Sequence, residues 1–393
     1  MHTAELLQLL SPEGLRLLDS LPTYEAGDDP VRAVADLRKA GHSPELVAAV
    51  LSQSRLRAKA VGKFGPFASR MLFTEAGLEQ ATRLPVAAQH AGRFQRAGLT
   101  HIADLGCGIG ADALAIAALD IAVTAVERDE VTAAIASYNL APWESARVEH
   151  ADVTEFDLAG IDGVYLDPAR RNASRRLSNP ADWSPSLDFA FGIGATLPTG
   201  VKLGPGIDRD LIPAGAEAQW VSVDHDVVEL GLWFGELARP GITRAALVIG
   251  DHGSAELTSD GDSEDAEVDE LGEFLYEPDG SVIRARLIGD LARSLGARML
   301  SDSIAYLTAD DAVLTPFASC FRVVETFAFD EKKLRKELSA RSIGTLEIKK
   351  RGVDVDPALL RKKLALKGAN AATLVLTRVA GRHVALLCER VRF

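Results

Sequence analysis

"IADLGCGIGADALAIA", residues 102–117, decides how this chain folds. A short apolar run ends in Asp104. Glycines follow at 106, 108 and 110, and an alanine-rich helical segment starts at once from Ala111. Glycine lets the backbone turn sharply and leaves room for a ligand against the main chain. The Gly-x-Gly-x-Gly spacing is one residue tighter than the dinucleotide pattern Gly-x-Gly-x-x-Gly. Asp104 would also repel a pyrophosphate placed beside it, which disfavours a nicotinamide dehydrogenase. A carboxylate at that point suits a ligand ammonium group.

On either side of this loop, short β-rich runs alternate with helical segments. "HIADLG", a helix, "AVTAVE", a helix through "DEVTAAIASYNL", "ARVEHAD", "GVYLDP" and "TGVKLGPGID" follow in order. Such alternation predicts parallel strands joined by crossover helices: an α/β fold with a doubly wound, mostly parallel, Rossmann-like sheet over residues 91–250. "AQWVSVDHDVVELGLWFGEL" and "TRAALVIG" read as its closing antiparallel pair. His225, between two acids on that predicted strand, reads as a solvent-facing hairpin residue rather than a metal ligand or base.

Each of the first four strands ends in an acid: Asp104, Glu127, Asp152 and Asp167. Ligands of open parallel sheets bind at those carboxyl ends. An acid at Glu127 suits both hydroxyls of a ribose, and one at Asp152 suits the exocyclic amine of adenine. An ammonium site, a ribose site and an adenine site, in strand order, describe S-adenosylmethionine as the cofactor.

The fourth acid opens "GVYLDPARRNASRR", residues 163–176. In-line methyl transfer depends on holding nucleophile and methyl carbon at attack distance and angle. Asp167 would do this by accepting a hydrogen bond from an acceptor amino group, with the Pro168 carbonyl as a second acceptor on a stiffened turn. Arg170, Arg171, Arg175 and Arg176 then read either as a solvated basic turn or as groups that hold phosphates or stack on a base. Trp183, in the next loop, reads either as a stacking partner or as core. A covalent mechanism is disfavoured: Cys107 lies inside the glycine loop, and neither Cys320 nor Cys388 has a nucleophile's context.

Residues 1–90 read as a helical N-terminal domain, with "SPEGLRLLDSL" and "SPELVAAVLSQSRLRAKAV" each opening on a capping Ser and a Pro at the first helical position. Residues 251–320 read as an acidic linker and connecting segment. The run "DHGSAELTSDGDSEDAEVDE" (251–270) holds nine acids and no Lys or Arg, but it lacks the Gly and Glu of a calcium loop. Residues 321–393 read as a compact α+β module carrying 17 Lys and Arg against 8 Asp and Glu, while the chain as a whole has a net charge of −13. Such asymmetry points to a polyanion-binding module on an acidic body. Three dispersed cysteines and no Cys/His cluster argue for no metal and a reducing, cytoplasmic setting. No stretch reads as a membrane span.

The motif D-L-G-C-G-I-G at 104–110, with Glu127 and Asp167-Pro168, resembles class I S-adenosylmethionine-dependent methyltransferases. The order "LFTEAGLEQAT" (72–82), glycine loop and "YLDPARR", with "LEIKKRGVDVDPALLRKKLAL" near the C-terminus, is similar to bacterial methyltransferases that carry a THUMP-like domain. It is similar in turn to the trimethylguanosine synthase and RNA guanine methyltransferase branch. That resemblance implies Phe73 and Thr74 beside the methionine end of the cofactor, although the family's Pro after that Thr is absent. It implies a purine amino group in structured RNA (tRNA or rRNA) as acceptor. The family's Pro and aromatic after Asp-Pro are replaced by Ala169 and Arg170, which departs from adenine-amine enzymes. A small-molecule or protein methyltransferase, and a non-catalytic RNA-binding protein that keeps the pocket, stay open as alternatives.

Overall fold

A computed structural model of the protein describes residues 3–25, 29–168, 171–172, 175–176, 183–251 and 253–392; for 171–172 and 175–176 the backbone alone is described. The chain forms two compact units, one of residues 1–203, 208–216 and 231–238, the other of residues 204–207, 217–230 and 239–393.

The first unit opens with helices α1 (Thr3–Leu9), α2 (Pro12–Ser20), α3 (Pro30–Lys39), α4 (Pro44–Phe64), α5 (Glu75–Gln80) and α6 (Leu84–Arg96). Their starts follow the sequence signals: Ser11 accepts from the Gly14 N–H and Ser43 from the Leu46 N–H, each ahead of a Pro. Side-chain oxygens at these positions satisfy amides that the helix itself leaves without acceptors. The helices are not a separate body. One core cluster runs from Leu9 and Val50 through Phe64, Phe73 and Phe94 to Ile116, Ile135 and Leu140, so they share the hydrophobic interior of the sheet that follows.

That sheet begins with β1 (His101–Leu105), α7 (Ala111–Ala117), β2 (Ala122–Glu127), α8 (Glu130–Leu140), β3 (Ala146–His150) and β4 (Gly163–Leu166). The two-residue strands β5 (Arg171–Asn172) and β6 (Arg175–Arg176) come next, then α9 (Leu187–Gly194) and β7 (Thr199–Leu203). β1 pairs in parallel with β2 and with β4, β2 with β3, and β4 with β7. Apolar strands with helical crossovers account for this: both faces are covered, so the strands read as continuous hydrophobic runs.

The chain continues through β8 (Glu217–Val223), β9 (Asp226–Phe234), β10 (Arg244–Gly250) and β11 (Gly253–Ser259), and the strand order is β11-β10-β8-β9-β7-β4-β1-β2-β3. Three sequence expectations change here. The stretch 217–234 is two strands, not one, turning at Asp224 and His225, whose φ values are 50° and 71°. Two successive positive φ angles make the tight hairpin turn that matches strand twist, so His225 sits on the turn and not on a strand face. "TRAALVIG" is β10, and it pairs in parallel with β8. The acidic stretch is not merely a linker: residues 253–259 form β11, antiparallel to β10. The backbone after it also packs closely, since a Cβ on Gly289 would lie 1.7 Å from the Glu264 main-chain carbonyl, while the acidic side chains there are exposed and Asp262 pairs with Arg244 at 2.9 Å.

The second unit adds β12 (Phe274–Pro278), α10 (Gly280–Arg284), α11 (Ile288–Leu295), β13 (Arg298–Met299), β14 (Leu307–Ala309), β15 (Ala318–Ala328), α12 (Glu331–Ala340), β16 (Ile343–Lys350), α13 (Pro357–Leu364), β17 (Asn370–Val379) and β18 (Arg382–Arg390). The seven strands order as β13-β14-β12-β15-β18-β17-β16. Alternation along β17 divides two cores: Leu374 and Leu376 pack with Leu334, Leu338, Leu360 and Leu364 of α12 and α13, while Val375 packs with Tyr306 and Phe321. The helices thus lie on one face and turn their charged sides outward.

Candidate active site

The glycine loop is built by register. Gly106 and Cys107 both donate backbone N–H groups to the Val126 carbonyl, at 2.9 and 3.1 Å, curling the loop over the end of β2. Gly106, Gly108 and Gly110 have φ of 84°, 56° and 84°, angles that side chains with a Cβ rarely adopt. A Cβ at 106 or 108 would meet nothing within 4 Å. These glycines therefore serve the backbone path and the open space above it, which is what a ligand cradle requires.

Glu127 faces that loop. It accepts from the Gly108 N–H at 3.1 Å and from the Asp129 N–H at 2.9 Å. A carboxylate offers about four acceptor sites, so these two bonds fix its orientation and leave capacity for hydroxyl donors. Asp104 lies beneath, 2% exposed, accepting from the Ala113 N–H at 3.1 Å. Burial, reinforced by Asp112 and Asp167, raises its proton affinity well above the ordinary carboxylate range. A buried acid in that state gains from a cationic ligand, and the donor set fits an amino-acid ammonium and a ribose. Asp152 is exposed beyond β3; the Thr154 N–H and hydroxyl hold it below the usual carboxylate range. The Cys107 thiol is pushed well up by burial, Asp104 and Glu127, which suits it to packing rather than attack.

Phe73 and Thr74 stand next to the loop, though not through the groups expected. The Gln53 side-chain amide bonds both the N–H and the carbonyl of Phe73, at 3.0 and 2.7 Å. Asn139 does the same for Leu72, at 2.8 and 3.1 Å, and also reaches the Ile109 carbonyl at 2.9 Å. The backbone of 72–73 is thereby tied to the glycine loop. Phe73's ring is fully buried against Phe64, 5.6 Å between centroids, so it belongs to the core. Thr74 caps α5 by accepting from the Gly77 N–H at 2.9 Å. Gly77 permits the close approach: a Cβ there would lie 2.5 Å from Ile109.

At the end of β4, Asp167 meets a residue the sequence did not single out. Lys202, on β7, donates to Asp167 Oδ2 at 2.5 Å and to Thr82 Oγ1 at 3.1 Å. Register explains the pair. Tyr165 lies opposite Gly200, and two residues further on the same face the positions are 167 and 202. Gly200 makes room for the rings beside it, since a Cβ would come within 2.6 Å of Trp233 and 3.0 Å of Tyr165. Behind the pair runs a buried polar chain: Thr82 bonds Asp112, Asp112 bonds His90 Nδ1 at 2.8 Å, and the Tyr165 hydroxyl lies 3.0 Å from the same nitrogen. Burial raises Asp112, but His90, Lys202 and Thr82 together bring it below the ordinary range. A lone Lys within the apolar run "TGVKLG" was the available signal, because a cation in a central parallel strand needs a partner.

Beyond Pro168, which is buried, Arg171 and Arg175 fall in a small antiparallel ribbon, Arg171 opposite Arg176 and Asn172 opposite Arg175. Their side chains, and all of Arg170, lie outside the described residues. Trp183 is 8% exposed, in accord with the core reading. It is followed by Ser184, which accepts from Arg128 at 3.0 Å, next to Glu127. His225 is two-thirds exposed, with Nδ1 3.4 Å from Asp279. Among the described residues there is no group of three or more His, Cys, Asp or Glu that could hold a metal ion, and no helix long and apolar enough to cross a membrane.

Comparison with known proteins gives the family. The THUMP domain-like family matches residues 318–390, and a domain family of unknown function matches residues 2–60. An uncharacterised S-adenosylmethionine-dependent methyltransferase of Mycobacterium tuberculosis strain CDC 1551 is 35% identical over 333 residues, covering 82% of this chain and 90% of that protein. Its counterpart in strain H37Rv matches equally. A crystal structure described as a methyltransferase from Porphyromonas gingivalis W83 shares the fold along the full length of both chains, with a TM-score of 0.78 at 22% identity. With a glycine cradle, a buried acid beneath it and a carboxylate facing it, the chain belongs to the S-adenosylmethionine-dependent methyltransferases and carries a C-terminal THUMP-like domain.

Proposed function

We propose that this methyltransferase modifies a purine amino group in structured RNA, tRNA or rRNA, by direct in-line transfer. The observation that carries the reading is the meeting, at the carboxyl ends of adjacent strands, of the glycine loop with Asp104 and Glu127 on one side and Asp167-Pro168 on the other. The cofactor supplies an electrophilic methyl group on a sulfonium. Asp104 would take the ammonium, Glu127 the ribose hydroxyls and Asp152 the adenine amine. Asp167, with the Pro168 carbonyl, would accept from the acceptor amine and aim its lone pair; Asp167 then stands ready for the proton that the methylated nitrogen sheds.

Support for RNA comes from charge. Lys332, Lys333, Arg335 and Lys336 on α12 and Arg361, Lys362 and Lys363 on α13 are all exposed, and cations on one face of a module bind phosphate backbones in a salt-sensitive way. The ribbon of Arg171 and Arg175 follows Asp167 directly and is read as a phosphate or base contact. RNA fits better than duplex DNA because a base in a loop or bulge is already accessible. Mass spectrometry of modified nucleosides in total RNA, from cells with and without the protein, tests this. One methylated purine should vanish without it; unchanged RNA would move the substrate to a small molecule or a protein.

A further inference from the structure

We propose that Lys202 is a positioning residue for methyl transfer: it pins one oxygen of Asp167 and cancels that carboxylate's attraction for the sulfonium of the reactant. The inference rests on the reading of Asp167 as the group that orients the acceptor.

An acid beside the reacting centre has two effects. It orients an amine by accepting a hydrogen bond, and it also attracts the positive sulfur of the bound reactant. The second effect works against the reaction, because the sulfur loses its charge on the way to the transition state, and stabilising only the ground state raises the barrier. A fixed cation on the same carboxylate removes the unwanted attraction and keeps the hydrogen-bonding geometry. Lys202 is placed to do this. Its ammonium group is 2.5 Å from Asp167 Oδ2, its side chain is 14% exposed, and Thr82 Oγ1 at 3.1 Å fixes its direction. Thr82 is itself 5% exposed and is held by the Asp112–His90–Tyr165 chain, so the lysine is anchored from behind. Its field also reaches Asp104 and Asp112, which places it in electrostatic contact with the ammonium end of the site.

The consequence is a binding preference that packing alone would not produce. S-adenosylmethionine carries one more positive charge than S-adenosylhomocysteine. A group one strand away from β4 lies roughly 5–10 Å from a ligand held at the ends of β1 and β4, given a strand spacing of about 4.8 Å. At that range and an effective dielectric of ~20–40, one unit charge changes an affinity about tenfold.

The test is calorimetry of both ligands on the full chain, with wild type, Lys202→Met, Lys202→Arg and Asp167→Asn. Lys202→Met should shift the ratio of the two affinities toward S-adenosylmethionine by about tenfold. Lys202→Arg should restore the wild-type ratio, and Asp167→Asn should shift it the other way, toward S-adenosylhomocysteine. Equal changes for both ligands, or none, in Lys202→Met would overturn the proposal. Should that variant fail to fold, an unshifted ratio in Asp167→Asn would overturn it instead. Wild-type protein that binds neither ligand would overturn the site assignment as a whole, an outcome distinct from an unshifted ratio.

Discussion

Asp104 has exchanged water for the Ala113 N–H and the repulsion of Asp112 and Asp167. Its folded proton affinity lies above the unfolded one, so the stability it contributes is present at low pH and is lost as pH rises through the raised value. A ligand ammonium reverses that by favouring the ionised acid. At a pH below the raised value, binding of S-adenosylmethionine should therefore expel a proton from Asp104, seen as a dependence of the calorimetric heat on buffer ionisation enthalpy. Asp104→Asn should abolish that dependence; the same proton release in the variant would contradict the assignment. Asn139 gives a second prediction at this scale. Its amide satisfies Leu72 and Ile109 inside the core, and Asn139→Ala should lower unfolding free energy by about 3 kcal/mol in urea titration, the cost of stranding buried polar groups. The positions of the four acids were legible in the sequence because each stands at or just past the end of a strand-forming run. Lys202, Gln53 and Asn139 were not. A polar residue in an apolar segment shows that a partner is needed, but the partner is chosen by the register of β4 on β7, or by which loop crosses which helix.

The glycine loop shows most plainly, among the elements, how geometry and chemistry divide. Gly108 has φ 56° with nothing near its Cβ position, so Gly108→Ala is a test of backbone path rather than of packing. It should cost about 1–2 kcal/mol of backbone energy and weaken cofactor binding in calorimetry while the rest of the fold stays intact. Gly200→Ala is the converse, an overpacking test against Trp233 and Tyr165, and should destabilise by about 1–3 kcal/mol in thermal or urea unfolding. The parallel strands with α7 and α8 were legible from alternation, and the starts of α2 and α4 from their capping residues. The β8–β9 hairpin was not, because its turn is Asp224-His225 and carries no glycine, the usual sign of two successive positive φ angles. β11 was hidden as well: its one acid, Glu256, and its neighbours were read with the acidic run around them.

Across the whole molecule, charge separation was visible from composition alone, and it carries the substrate reading. Reversing Lys332, Lys333, Arg335 and Lys336 to Glu should weaken RNA binding in a titrated shift assay and flatten its salt dependence, since the slope falls by about one unit for every phosphate that the protein no longer neutralises. Affinity for S-adenosylmethionine should stay as it was. The basic module, however, does not stand apart in the way its composition suggested. β15, which opens it, pairs with β12 from residues 274–278, so the strands that precede the matched THUMP-like region belong to the same sheet.

The first unit takes its last piece from residues 231–238, and the second takes its first from residues 204–207. A ribosome delivers the chain from one end only. The cofactor-binding half therefore cannot close until most of β9 has emerged, and by then the other half has already begun. Nascent protein stalled before residue 231 would carry the glycine loop in a unit whose core lacks Trp233 and Leu237, and synthesis, not sequence order of domains, would set when the enzyme first recognises its methyl donor.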